Sequence, residues 1–150
     1  MSRHDDWTQQ AMRTLRTSGH RTGGARQAVI EVLAEAGGGM TALEVAEQLR
    51  TGPRRAGMAS VYRALAVLGR LGLVRRVDIG HGVSRYELVL FSGEHDHHLV
   101  CSRCGRTDLF RDAALERALH AAEAQVRYAV ASHDVILHGF CPACQKAVRA

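Results

Sequence analysis

The 150-residue chain is predicted to be an α+β protein, with a winged helix-turn-helix unit over residues 1–91 and a small α/β unit over residues 92–150. Three observations predict it. Four stretches with apolar residues at helical spacing precede two short alternating stretches that flank Gly80-His81-Gly82. The chain's four cysteines form two C-x-x-C pairs, Cys101/Cys104 and Cys141/Cys144, both in the second unit. Charge is uneven as well: residues 1–90 carry 13 Lys+Arg against 8 Asp+Glu, and residues 91–150 carry 7 against 7. The net charge of +5 therefore lies in the first unit, as expected of a surface that meets a polyanion.

The first helix is marked by Trp7, Ala11 and Leu15. The second carries Ala28, Val29, Val32, Leu33 and Ala36 and stops at Gly37-Gly38-Gly39. A third opens on Thr41 and Glu44, the T-x-x-E pattern of a capping box, and buries Ala42, Val45, Ala46 and Leu49. Thr51-Gly52-Pro53 breaks it. The fourth runs from about Ala59 to Leu71, with Val61, Ala64, Leu65, Leu68 and Leu71 on one face. Period two then takes over in Leu73, Val77 and Ile79, and again in Tyr86, Leu88 and Leu90, which makes the Gly80–Gly82 turn a hairpin. Residues 92–94 form the boundary. Beyond it, residues 97–101 and 106–110 read as strands around the first C-x-x-C. Residues 112–127 read as a helix burying Leu115, Ala118, Leu119, Ala122 and Val126, and residues 132–140 as a strand before the second C-x-x-C.

Aromatics are only 5% of the chain, so the core must rest on Ala, Leu and Val. The first thirty residues are dotted with charge and hold no apolar signal region, and no apolar stretch is long enough to cross a bilayer. A cytoplasmic protein with no membrane partner is expected, a setting in which cysteines serve metals more often than disulfides.

On the fourth helix, Ser60, Tyr62 and Arg63 lie off the buried stripe near its N-terminal end, where a recognition helix meets the major groove of double-stranded DNA. Arg63 can fork to guanine or phosphate, and Tyr62 can pack on a thymine methyl or bond a phosphate. Arg54 and Arg55 stand just before this helix, and Arg75, Arg76 and Arg85 place charge on the wing. The alternative is an amphipathic helix with a solvated basic face.

Two C-x-x-C turns supply four thiolates, which complete a tetrahedral site with no open position, so Cys101, Cys104, Cys141 and Cys144 read as ligands of one structural Zn²⁺. A redox pair or buried free thiols are the alternatives. Glu94-His95-Asp96-His97-His98 precedes the first knuckle. Period two puts His95 and His97 on one face of a strand and Asp96 and His98 on the other, so one segment can feed two sites. Glu87, His81, Glu116, His120, His133 and His138 are candidates to complete them. Nitrogen and carboxylate donors suit Zn²⁺, Fe²⁺, Mn²⁺ or Ni²⁺.

From about residue 11 to 147 the chain resembles the Fur family of metal-dependent transcriptional regulators. The resemblance is carried by Gly19-His20-Arg21 with Arg26, by Ala59-Ser60-Val61-Tyr62-Arg63-Ala64-Leu65, by Arg85-Tyr86-Glu87, and by the run from His95 to Gly105. It implies a metal-responsive repressor: a homodimer built on the C-terminal domain, presenting two winged helices to a pseudo-palindromic operator. By position it implies that His95, His97, Glu116 and His133 form a metal site within the dimerisation domain. It also implies that Glu87, Asp96 and His98 belong to an inter-domain regulatory site. Three departures stand out. Gly23 replaces the usual helix-capping Thr and Ala25 a common Pro, so the second helix should start weakly. Gly39 replaces the histidine ligand usual in iron, peroxide, manganese and nickel sensors, which leans the resemblance towards zinc, with iron as the alternative. His81, or a carboxylate such as Asp78, could replace that ligand, although His81 also reads as a solvated turn residue. A regulator whose metals are all structural, and a zinc hydrolase using His95, His97 and Glu116 as base, are the rival readings. The second of these leaves the wing and recognition helix idle.

Overall fold

The computed structural model describes residues 3–90 and 95–148 and divides into two compact units, residues 1–94 and 95–150. The expected boundary at residues 92–94 lies outside the described residues.

The first unit holds four helices and a ribbon: α1 (Arg3–Thr17), α2 (Ala25–Ala36), α3 (Ala42–Thr51), α4 (Met58–Arg70), β1 (Val74–Asp78) and β2 (Ser84–Leu88). On α1, Trp7, Ala11 and Leu15 recur every four residues and are all fully buried. The Trp7 indole N–H donates to the Leu73 carbonyl at 3.0 Å, which fastens α1 to the start of the wing. Gly24 gives α2 no side-chain cap, in keeping with the weak start expected there. At its other end Gly37 takes the left-handed conformation (φ 66°) and closes the helix. α3 has the full capping box: the Glu44 N–H donates to Thr41 Oγ1 at 3.1 Å, and the Thr41 N–H to Glu44 Oε2 at 2.8 Å. α4 buries Val61, Ala64, Leu65, Val67 and Leu68. The core of this unit joins these residues to those of α1, α2 and α3.

β1 and β2 pair antiparallel from Val74↔Leu88 to Asp78↔Ser84. Their turn needs positive φ at Gly80, His81 and Gly82, and Asp78 Oδ1 accepts from the Gly80 N–H at 2.9 Å. An unforeseen third piece joins the ribbon. Met40 bridges Tyr86 through two backbone hydrogen bonds of 3.0 and 2.7 Å.

The second unit holds β3 (His97–Cys101), β4 (Thr107–Phe110), α5 (Ala113–Glu123), β5 (Ile136–Gly139) and α6 (Pro142–Val148). The sheet order is β4-β3-β5, with β4 antiparallel and β5 parallel to β3, so α5 lies on the crossover. Here the structure departs from the sequence in three places. α5 ends at Glu123 rather than residue 127, and it buries nothing: Leu115 and Leu119 are half-buried, while Ala118, Ala122 and Val126 are exposed. β5 is only four residues long, because its pairing with β3 begins at His98↔Ile136 and residues 131–135 are irregular. α6 was not expected, although Pro142 suits the first position of a helix. Among the described residues of this unit the buried apolar residues are Val100 and Cys101, joined by His97 and His98. It has almost no apolar core of its own.

Candidate metal centres and nucleic-acid face

Cys101 ends β3, and the chain turns back through Cys104 and Gly105, whose φ of 75° favours glycine. The Gly105 N–H donates to the Cys101 carbonyl at 2.9 Å and the Ser102 N–H to the Gly139 carbonyl at 2.8 Å, so the first knuckle is tied to the end of β5. Cys141 follows β5, and Cys144 lies on α6. All four cysteines are free thiols, and their sulfur atoms lie within 4.8 Å of one another. The Cys104 and Cys141 sulfurs are 3.8 Å apart, and the Cys141 N–H points at Cys101 Sγ at 3.4 Å. Backbone N–H groups, that of Cys141 foremost, draw the Cys101 thiol down to about 6. Hydrogen bonding with the Cys141 sulfur pushes the Cys144 thiol up to about 12. Four sulfurs at one point resist further ionisation unless a cation joins them, and a dication that binds thiolates fits this donor set.

The second cluster is built from β3, α5 and the segment before β5. His95, His97, Glu116 and His133 each place one donor atom within 4.8 Å of the others. Glu116 is the hub. Its Oε1 is 2.5 Å from His97 Nε2 and 3.8 Å from His95 Nε2, and its Oε2 is 3.2 Å from His133 Nε2. Partial desolvation raises the Glu116 carboxyl, but hydrogen bonds from His97 and His133 outweigh it and hold the group below its ordinary value. Three imidazole nitrogens converging on one carboxylate fit a divalent transition metal. Among the described residues, His120 and His138 join neither cluster.

The alternation expected along β3 sends His95 and His97 to this cluster and His98 elsewhere. Burial, however, does not alternate, since His97 and His98 are each 1% exposed. Asp96 is paired with Arg111. In the first unit Glu87 is buried, with its Oε2 held by Arg75 Nη2 at 2.8 Å and Nε at 3.1 Å. His81 is exposed at the ribbon tip, beyond the end of β2, and Glu87 lies about 10 Å along the strand from Ser84, where β2 begins. Gly39 has φ +73°, and a Cβ there would meet the Glu87 Cγ at 2.7 Å.

Tyr62 (51% exposed) and Arg63 project from α4, and Arg63 Nη2 donates to Ser60 Oγ at 3.1 Å. Arg55 is exposed, and Arg54 is paired with Glu31 of α2 at 2.9 Å. Of the wing arginines only Arg76 is exposed. Arg75 serves Glu87, and Arg85 Nη2 donates to the Gly39 carbonyl at 2.6 Å. The sequence reading counted all three as surface charge and missed these internal partners. It also missed Glu123, whose Oε1 is 3.1 Å from His133 Nδ1 and whose Oε2 is 3.2 Å from His120 Nδ1. The available signal was its spacing of seven from Glu116, two helical turns along one face.

The ferric uptake regulator family model matches residues 17–138. The chain belongs to this family. It is 32% identical over 132 residues to the ferric uptake regulation protein of Bacillus subtilis, covering 87% of this chain and 89% of that protein. The fold matches that of the Helicobacter pylori ferric uptake regulator, whose structure reveals three functional metal binding sites. The TM-score is 0.77 at 22% identity, over 95% of this chain and 93% of that one. It also matches a zinc uptake regulator complexed with zinc and DNA, with a TM-score of 0.60 at 24% identity over the whole of both chains. As a member of the ferric uptake regulator family, the chain is a metal-responsive regulator, and its relatives are transcriptional regulators rather than enzymes. No described helix is long and apolar enough to cross a membrane.

Proposed function

We propose that this chain is a zinc-responsive transcriptional repressor that binds a pseudo-palindromic operator as a homodimer. The observation that carries the metal is the convergence of three imidazoles and one carboxylate, from His95, His97, His133 and Glu116, within 4.8 Å. Four nitrogen and oxygen donors are the number that zinc takes, and zinc outranks iron and manganese on such ligands. Gly39 supports the same choice, because its backbone and the adjacent Glu87 leave no room for the further histidine that the family's iron sensors use. In this reading Cys101, Cys104, Cys141 and Cys144 hold a structural zinc. Glu87, Asp96 and His98 contribute to a regulatory site drawn from both units, residues 1–91 and 92–150. His81, at the exposed tip of the ribbon, lies too far along it from Glu87 to share that ion. A dication there supplies a meeting point for donors of both units, so domain orientations differ in metal affinity and metal supply biases the DNA-binding one.

DNA contact is assigned to Ser60, Tyr62 and Arg63 on α4, with Arg54 and Arg55 beside it. The ion pair of Arg54 with Glu31 is a surface pair that a phosphate can displace. The apolar side chains left open in the second unit, Leu99, Leu109, Val126, Leu137 and Phe140, support a homodimer built on that unit.

Iron is the second reading, favoured by the likeness to the Bacillus subtilis protein. A gel-shift titration with Zn²⁺, Fe²⁺, Mn²⁺ and Ni²⁺ on the protein's own promoter region separates them. Zinc is expected to promote binding at the lowest free concentration. Equal binding with and without chelator, the four-cysteine zinc intact, would exclude metal sensing altogether.

A further inference from the structure

The irregular segment between α5 and β5 carries His133, so no strand or helix fixes its ring. The neighbours of that ring do. Its Nδ1 faces Glu123 Oε1 at 3.1 Å, and its Nε2 faces Glu116 Oε2 at 3.2 Å, so the two carboxylates grip opposite ends of one imidazole. The His95 ring packs against it at 4.6 Å between centroids. Glu123 is steadied in turn, because its other oxygen meets His120 Nδ1 at 3.2 Å. Glu116, His120 and Glu123 are four and three residues apart on α5, which places all three on one face.

We propose that Glu123 is a positioning residue of the His95/His97/Glu116/His133 centre. Its carboxylate accepts the Nδ1–H of His133, which fixes the tautomer and leaves Nε2 as the nitrogen presented to the metal. This rests on the reading of those four residues as a metal site. A carboxylate on the far nitrogen of a ligating histidine orients the ring and raises its basicity, and losing such a partner costs metal affinity. Glu123 is not itself a donor in this arrangement. It sits at the Nδ1 end of the ring, a ring's width from the point where the four donor atoms converge.

The test uses the full chain with its four-cysteine zinc in place, and reads Zn²⁺ affinity by competition with a chromophoric chelator and the visible absorption of Co²⁺ in the histidine site. Glu123→Ala should weaken the site by about 10- to 100-fold and alter the Co²⁺ spectrum, with circular dichroism and the four-cysteine zinc unchanged. Glu123→Gln keeps an acceptor for the Nδ1–H and should lose less than about tenfold. Parent-like affinity and spectrum in Glu123→Ala overturn the proposal alone. Equal losses in Glu123→Ala and Glu123→Gln also overturn it, since a metal donor, unlike a positioning group, is lost in both. A parent protein that takes up no metal beyond the four-cysteine zinc overturns the metal reading of the site and this proposal with it.

Discussion

At the scale of single residues, the first unit turns on what Gly39 permits. Its carbonyl accepts from Arg85, its φ is +73°, and the Glu87 side chain lies where its own Cβ would be. Gly39→Ala therefore carries two costs: about 1–2 kcal/mol for a left-handed residue with a Cβ, and the displacement of a buried, ion-paired carboxylate. A lower urea midpoint for the first unit is expected. A variant as stable as the parent would mean that this loop relaxes freely. The sequence made the glycine visible as a departure from the family pattern, but not its cause. Nor did it separate Arg76, which is open to solvent, from Arg75 and Arg85, which are spent inside. Counting charges along a chain gives their number and leaves their partners unknown.

Elements were legible where their determinants are local. The Thr41/Glu44 box, the Gly37 stop and the i, i+4 spacing of Trp7, Ala11 and Leu15 each specify structure within one or two turns, and each is present. β5 was overextended because its true length is set by where β3 can pair with it, at His98↔Ile136, which is a non-local fact. The Met40–Tyr86 bridge was invisible for the same reason. The two C-x-x-C pairs stand out by spacing alone, whereas the residues by themselves left several partners open for the histidines. The set His95, His97, Glu116 and His133 that the structure brings together came from the family resemblance. The knuckles also join three short strands that, among the described residues, bury only Val100 and Cys101 as apolar residues, a small hydrophobic face for a sheet to rest on. Cys101→Ser should therefore unfold the second unit and leave the first folded, because a structural metal's binding free energy is folding free energy. Circular dichroism with bound-zinc analysis reads this, and a zinc-free variant with an intact sheet would refute it.

At the scale of the molecule the two units are unlike in what holds them. The first has a continuous apolar core through α1 to β1; the second, among its described residues, buries Val100, Cys101 and two histidines, and leaves α5 half-buried at best. Leu137 and Phe140 are each about half exposed and lie beside the second knuckle. On the proposed homodimer, Leu137→Asp is expected to give a monomer in sedimentation, with the operator affinity falling as the second half-site is lost. An unchanged dimer would place the contact on another face.

If zinc and a second copy complete the second unit, as proposed, the few apolar residues it buries among those described have a thermodynamic consequence. A fold completed by things that dissociate has no fixed melting point. Each tenfold change in free metal or in chain concentration moves its stability by up to about 1.4 kcal/mol. Dilution and chelation then become interchangeable, and a shortage of either the metal or the second chain can be offset by more of the other. The half of the protein that carries the His95–His133 centre would then respond to scarcity by ceasing to be folded as well as by releasing its ion.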